Sequence, residues 1–138
     1  QILHVEHAWD VVIVGMGELG HAIARYQGFQ ARGFRVVMCF DAAPEKIGKP
    51  VCDDPKLCQI TIRDVRNLVE DLKMSEVKMA MVCVPAAAAQ AVTDMLVTAG
   101  VKGILNYAPI NLVTPKEVRV QYIDPTIGLQ RMAYYIKE

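Results

Sequence analysis

Residues 11–29, VVIVGMGELGHAIARYQGF, decide the fold. Val11, Val12, Ile13 and Val14 form an apolar run of strand length without polar alternation, which predicts a strand over 9–14 buried on both faces. The run stops at Gly15, and glycines recur at Gly17 and Gly20. Between a buried strand and a helix, the first glycine allows a tight turn. The second lets backbone approach a pyrophosphate, and the third lets helix pack closely on strand. From Glu18 onward, Leu19, Ala22, Ile23 and Tyr26 keep the i, i+3, i+4, i+7 spacing, which predicts one buried face on a helix closing near Gly33. The unpaired N–H groups and positive dipole end at the start of that helix suit an anion, so Glu18 and Leu19 join the three glycines as candidate cofactor contacts.

A second strand over 35–40 runs into Asp41, about twenty residues past the last glycine, where a dinucleotide-binding fold presents a carboxylate to the adenosine ribose. A carboxylate accepts from a 2′-hydroxyl and repels a 2′-phosphate, and Ala42 and Ala43 supply no arginine to receive one. NAD(H) is therefore expected over NADP(H). Glu18 suits the helix dipole but would oppose a pyrophosphate if turned inward, so it is expected to face solvent.

Beyond Asp41, residues 42–58 are rich in Pro, Gly and Asp and read as loop, with a weak edge strand around 59–62. Val65, Leu68, Val69 and Leu72 predict a short amphipathic helix. A buried strand follows over 77–84, then an alanine-rich helix over 86–98 with Val92, Met95, Leu96 and Ala99 on one side and Gly100 at its end. Further strands are predicted over 102–107 and 118–123. Strand and helix alternate, so the fold class is α/β, a doubly wound and mostly parallel sheet with helices on both faces. A final helix over 126–138 places Leu129, Met132, Ala133 and Ile136 on one stripe and Tyr134 and Tyr135 off it. It either caps this sheet or meets a second surface.

The chain has 138 residues, with fifteen basic and fifteen acidic side chains, which fits one domain and gives no basic patch for a nucleic-acid backbone. No apolar run is long enough to span a bilayer and the start carries no signal-peptide pattern, so no membrane partner and a cytoplasmic location are expected. Cys39, Cys52, Cys58 and Cys83 show no CxxC pairing and are expected to be free thiols, with a disulfide or metal role for Cys52 and Cys58 the alternative. No metal site is expected: His4 and His7 have ligand-like spacing but read as an N-terminal tail. No catalytic residue is expected either. The histidines all lie early in the chain, and the segments after the later strands offer Pro85 with alanines, and Asn106, Tyr107, Ala108 and Pro109.

The runs VGMGELGHAIARYQGF, CFDAAPEKIGKPV, VPAAAAQ, GILNYAPINLVTP and YIDPTIGLQRMAYYI occur in the order found in the bacterial redox-sensing repressor family Rex, and from Trp9 onward the chain resembles the C-terminal domain of those proteins. The resemblance implies a Rossmann-like domain at 9–124 after a tail at 1–8, and a C-terminal, domain-swapped helix at 125–138. It implies a homodimer that senses NADH against NAD and binds operator DNA through a winged-helix domain not found in these residues, so the chain is expected to be a piece of a longer repressor. It makes Gly15, Gly17 and Gly20 the pyrophosphate turn and Asp41 the ribose ligand. Lys46 and Ile47 would lie beside the adenine. Val84, Pro85, Asn106, Tyr107, Ala108 and Pro109 would line the nicotinamide pocket, and Tyr26 would pair with Asp124 of the partner as a dimer switch. Pro125 departs from the phenylalanine common in the family, which puts the ring-packing part of that switch in question. A CoA-binding domain like those of acyl-CoA ligases, or the cofactor half of a dehydrogenase, would share the architecture.

Overall fold

The computed structural model describes residues 8–26, 28–123 and 125–137. His4, His7 and Asp124 lie outside them. Six strands form one all-parallel sheet: β1 (Trp9–Val14), β2 (Phe34–Asp41), β3 (Ile62–Asp64), β4 (Met79–Val82), β5 (Gly103–Asn106) and β6 (Arg119–Tyr122), in the order β3-β2-β1-β4-β5-β6. The order reverses between β1 and β4, which opens a crevice at the carboxyl ends of those two strands. Among the described residues five α-helices connect or follow them, α1 (Glu18–Arg25), α2 (Gly28–Ala31), α3 (Leu68–Lys73), α4 (Ala86–Thr98) and α5 (Pro125–Lys137), with a 3-10 turn at Val65–Asn67 leading into α3.

The two faces of the sheet are packed differently. Val12, Val14, Ala80, Val82 and Ile104 point to the face covered by α3 and α4, whose Leu68, Leu72, Ala89, Val92 and Leu96 complete one core. Val11, Ile13, Cys39, Ile62 and Met81 point the other way, and Ile23 of α1 with Val51 and Cys52 cover them. A bulge in β2 between the partners of Val11 and Val12 shifts its alternation, which is how Val36 and Cys39 come to share a face. Cover on this second face extends only over β1, β2 and β3. Beneath β4, β5 and β6 lies an apolar trough of about 480 Å³ lined by Val11, Phe29, Phe34, Met79, Met81 and Leu105 among others.

Two expected elements differ from those observed, and a third decides between alternatives the sequence leaves open. The first helix ends at Arg25, and Ile23 and Gly20 are its buried residues, while Leu19, Ala22 and Tyr26 are exposed. In a helix of two turns the apolar side chains divide between the sheet and the crevice, so the four-residue stripe does not exist as a core face. The edge strand lies at Ile62–Asp64 rather than 59–62, because residues 48–51 fold back on 60–62: Val51 N–H donates to Ile60 O at 2.9 Å and Pro50 bridges Thr61 antiparallel. On α5, Leu129, Met132, Ala133 and Ile136 are all exposed, as are Tyr134 and Tyr135, so this helix does not cap the chain's own sheet.

Cys52 and Cys58 form a disulfide, which overturns the reading of both as free thiols. Cys39 and Cys83 are free. Burial pushes the Cys39 thiol up to about 12, with the neighbouring Cys83 adding to the effect, and burial pushes Cys83 up to about 11.

Candidate nucleotide site

The carboxyl ends of four strands are tied by a run of backbone hydrogen bonds that continues past the strands. Gly15 N–H donates to Phe40 O at 2.8 Å, Cys83 N–H to Val14 O at 2.8 Å, and Tyr107 N–H to Val82 O at 2.9 Å. These bonds set Asp41, Gly15, Val84 with Pro85, and Tyr107 with Ala108 and Pro109 in a row along one edge of the sheet. The row crosses three strand spacings, about 14 Å.

Each glycine of the turn answers a different constraint. Gly15 has φ +102°, and a Cβ there would lie 2.6 Å from the Cys83 carbonyl and 2.9 Å from Val84 N, so both conformation and the close approach of β4 exclude a side chain. A Cβ on Gly20 would collide with the Gly15 carbonyl oxygen. Gly17 is the N-cap of α1, with φ −77° and no side-chain cap, and a Cβ there would meet nothing within 4 Å. Nothing in the fold demands a glycine at 17, so the space is left for something that approaches the helix from outside. His21 N–H donates to Gly17 O at 3.0 Å as the first bond of α1, so the N–H groups of Glu18 and Leu19 precede the helical ladder and are available there. Both side chains are exposed, Glu18 as expected. An anionic pyrophosphate fits this opening.

Asp41 is bound to the turn itself. One carboxylate oxygen accepts from Met16 N–H at 2.6 Å and the other from Ala43 N–H at 2.8 Å, which holds the group at the β2 end of the row with lone pairs to spare. Lys46 Nζ donates to Met16 O at 3.0 Å, so a cation stands at the same corner; Ile47 follows it, half-buried.

At the opposite end, Pro85 caps α4, and the loop after β5 is held by side chains. Asn106 is fully buried; its Nδ2 donates to Ala108 O at 3.2 Å and Ile110 O at 3.0 Å, and its Oδ1 accepts from Ala108 N–H at 2.9 Å. Burial, and Cys83 after it, push the Tyr107 phenol up. Two side chains absent from the sequence-based candidates complete the clamp. Gln90 pairs with the Val113 backbone through both amide atoms, at 2.9 and 3.0 Å, and Tyr122 Oη accepts from Leu112 N–H at 2.9 Å and donates to Leu112 O at 3.3 Å. No local pattern marks them, because the partners lie 23 and 10 residues away.

Tyr26 stands apart from this row, half-exposed at the end of α1, with its ring edge-on to Phe29 at 4.8 Å. The ring lies where a Cβ of Gly28 would be, which accounts for the tyrosine, glycine and phenylalanine in YQGF. Asp124 is not described, so the proposed pair is not seen. Among the described residues no cluster of three or more His, Cys, Asp or Glu could hold a metal.

The chain matches the profile of the CoA binding domain over residues 6–110. It is 45% identical, over 99% of its own length, to the redox-sensing transcriptional repressor Rex of Chloroflexus aurantiacus, of which it spans 61%. Crystal structures of RSP, a Rex-family repressor, superpose with TM-scores of 0.84 in complex with beta-NADH and 0.85 in complex with beta-NAD+ and operator DNA, at 30% and 29% identity. They cover 98% of this chain, which accounts for 63% and 59% of theirs. The chain thus spans about three fifths of the curated relatives it matches first. Its glycine turn and sheet order agree with the profile match and with the likeness to part of the Rex repressors: the chain belongs to the CoA-binding domain family.

Proposed function

We propose that the chain is the NADH/NAD-sensing regulatory domain of a redox-responsive, cytoplasmic repressor, a homodimer that meets operator DNA through a winged-helix domain outside these residues. The observation that carries the reading is the pairing of Gly17, open to an approaching anion, with Asp41, fixed on Met16 N–H at the adenosine end. Gly15, Gly17, Glu18, Leu19 and Gly20 would hold the pyrophosphate through backbone, Asp41 the ribose, and Lys46 and Ile47 the adenine. Val84, Pro85, Asn106, Tyr107, Ala108 and Pro109 would border the nicotinamide. The bound dinucleotide carries a hydride, and the residues around its expected place are poorly suited to using it: prolines and alanines, an asparagine whose amide is committed to its own loop, and a phenol held protonated. The domain accordingly reads the cofactor without turning it over and is not an enzyme.

Two apolar surfaces, the trough beneath β4, β5 and β6 and the stripe on α5, support homodimerisation, and the family resemblance adds a pairing of Tyr26 of one protomer with Asp124 of the other. Lys46 beside Met16 O supports a second reading, a phosphate-bearing nucleotide such as CoA at the adenosine corner. Calorimetric titration separates the two. Binding of NADH and NAD, with NADPH and CoA weaker by about tenfold or more because each sets a further phosphate on the ribose near Asp41, is the expected result. Tighter binding of CoA than of NADH would establish the second reading.

A further inference from the structure

The Cys52–Cys58 disulfide has no part in the nucleotide site as described, yet it is placed to act on it. It closes the tip of the hairpin between β2 and β3, where the Cα atoms of the two cysteines are 5.9 Å apart. The hairpin is complete without it: Gly48 N–H donates to Ile62 O at 2.7 Å, Ile62 N–H to Lys49 O at 2.9 Å and Val51 N–H to Ile60 O at 2.9 Å. The sulfur bridge therefore confines only the exposed residues 53–57. A bond that the sheet does not need, on a surface loop, is free to open and close.

The two sulfurs are unequal. Cys52 is buried at 4% exposure in the apolar cluster that contains Met16, Ile23 and Cys39, which underlies the glycine turn. Cys58 is half-buried and lines a groove of about 180 Å³ together with Tyr26 and Phe29. Asp53 lies near enough to His21 of α1 to act on its charge. One sulfur thus belongs to the apolar cluster that holds Ile23 of α1, and the other to the groove at the Tyr26 end of the same helix. Cys39, buried in β2, and Cys83, half-buried just past β4, have thiol pKa values raised by burial and do not compete with it.

We propose that Cys52 and Cys58 form a reversible dithiol–disulfide site, oxidised by low-molecular-weight disulfides of the glutathione type, whose closure tightens dinucleotide binding. In the oxidising direction the Cys58 thiolate attacks the small disulfide, forming a mixed disulfide and expelling one small thiol. The Cys52 thiolate then displaces the second at the Cys58 sulfur. Two protein thiols are oxidised, one small disulfide is reduced, and the two cysteine protons end on the two small thiols released. The closed ring fixes the 53–57 loop, with Asp53 near His21 of α1; the open loop frees that carboxylate and changes the charge beside the helix that opens the glycine turn. Disulfides in a reducing compartment are typically transient or sensing, so the site rests on the cytoplasmic, NAD(H)-binding reading above.

The test equilibrates the native chain with graded ratios of reduced to oxidised glutathione, quenches with acid, alkylates, and locates the modified cysteines by mass after proteolysis. The expected result is a two-electron transition confined to Cys52 and Cys58 at ratios between the fully reducing and fully oxidising mixtures. NADH binding should weaken by roughly 5- to 20-fold on reduction, and equally in a Cys52→Ser, Cys58→Ser double variant whose circular dichroism matches the parent. A bridge that persists in a large excess of reduced glutathione, or that never forms, overturns the site. Equal NADH affinity of the oxidised and reduced chains overturns the coupling. Failure of both forms to bind NADH or NAD would overturn the function proposed above and the coupling with it, and the titration would still decide whether the site is reversible.

Discussion

Gly17 and Gly20 are one helical turn apart and answer to different masters, which makes them a clean pair for substitution. Alanine at Gly20 drives a methyl into the Gly15 carbonyl in a buried position, an overpacking expected to cost about 1–3 kcal/mol and to lower the unfolding midpoint by several degrees. Alanine at Gly17 meets open space at an ordinary φ, so stability should change by less than about 1 kcal/mol, the lost cap preference offset by a stiffer unfolded chain. NADH binding should nonetheless weaken by about 1–3 kcal/mol, since the methyl stands where the pyrophosphate approaches. Thermal melts and calorimetric titration of the two variants check both halves. His21 carries a pH dependence of its own. Burial holds its pKa below the ordinary 6.5, with Arg25 and Lys46 pressing the same way and Asp41 and Asp53 opposing, and its Nδ1 is buried without a partner among the described residues. The unfolded chain thus binds this proton at a higher pH than the folded one. Stability should fall as pH drops through 6.5 and level off below the folded pKa. A His21→Gln variant should show a shallower fall in melting temperature between pH 7.5 and 5.5, and a slope equal to the parent's would mean that another group titrates.

Among the elements, the loop between β5 and β6 shows how local structure is prepared for a ligand. Asn106 folds its start, Gln90 from α4 holds its middle and Tyr122 from β6 ties it to the strand that leads into α5. Tyr122→Phe leaves Leu112 N–H and its carbonyl without this partner, at a cost of about 1 kcal/mol. Faster hydrogen exchange at Leu112 and Val113 and a severalfold loss of NADH affinity are expected, with the global melting temperature little changed; unchanged exchange would show that the loop stands without the clamp. Such long-range side-chain bonds are what the sequence does not disclose. By contrast α4 is readable to the residue. Pro85 presets its start, alanines favour it, and Gly100 with φ +99° ends it as Gly100 N–H and Val101 N–H return to the Val97 and Leu96 carbonyls. The glycine turn and Asp41 are likewise legible because their spacing is local. The buried face of α1 is not, since two turns offer too few positions for periodicity to tell a core side chain from one facing a crevice or a partner. The disulfide is open to pattern reading only as an alternative, because it is the fold-back of 48–51 on 60–62 that brings Cys52 to Cys58.

For the molecule as a whole, the unequal cover of the sheet is the feature with the widest consequence. A parallel sheet is stable when both faces are packed, and half of one face here is an apolar trough while α5 holds its own apolar stripe in solvent, with Leu129 63% and Ile136 77% exposed. Neither surface satisfies the other within the chain, and a symmetric exchange of α5 between two protomers would bury both twice over. Each large apolar side chain so covered would contribute about 1.5–3 kcal/mol, enough in sum for three or four residues per protomer to hold a dimer. The chain should therefore run as a dimer in sedimentation, and deletion of 127–138 should give a monomer or an aggregating domain with the trough exposed. Because aggregation alone would be ambiguous, a Met132→Glu, Ile136→Glu variant provides the sharper measurement. Both residues are exposed in the chain, so the charges leave its own core untouched, and circular dichroism should match the parent while the sedimenting mass halves. Met81→Glu, placed in the trough from the opposite side, should have the same effect on mass at some cost to stability, because Met81 is already 8% exposed and packed beside Val11 and Ile13. A full-mass dimer in the α5 variant would assign the interface elsewhere and leave the trough without the occupant proposed for it.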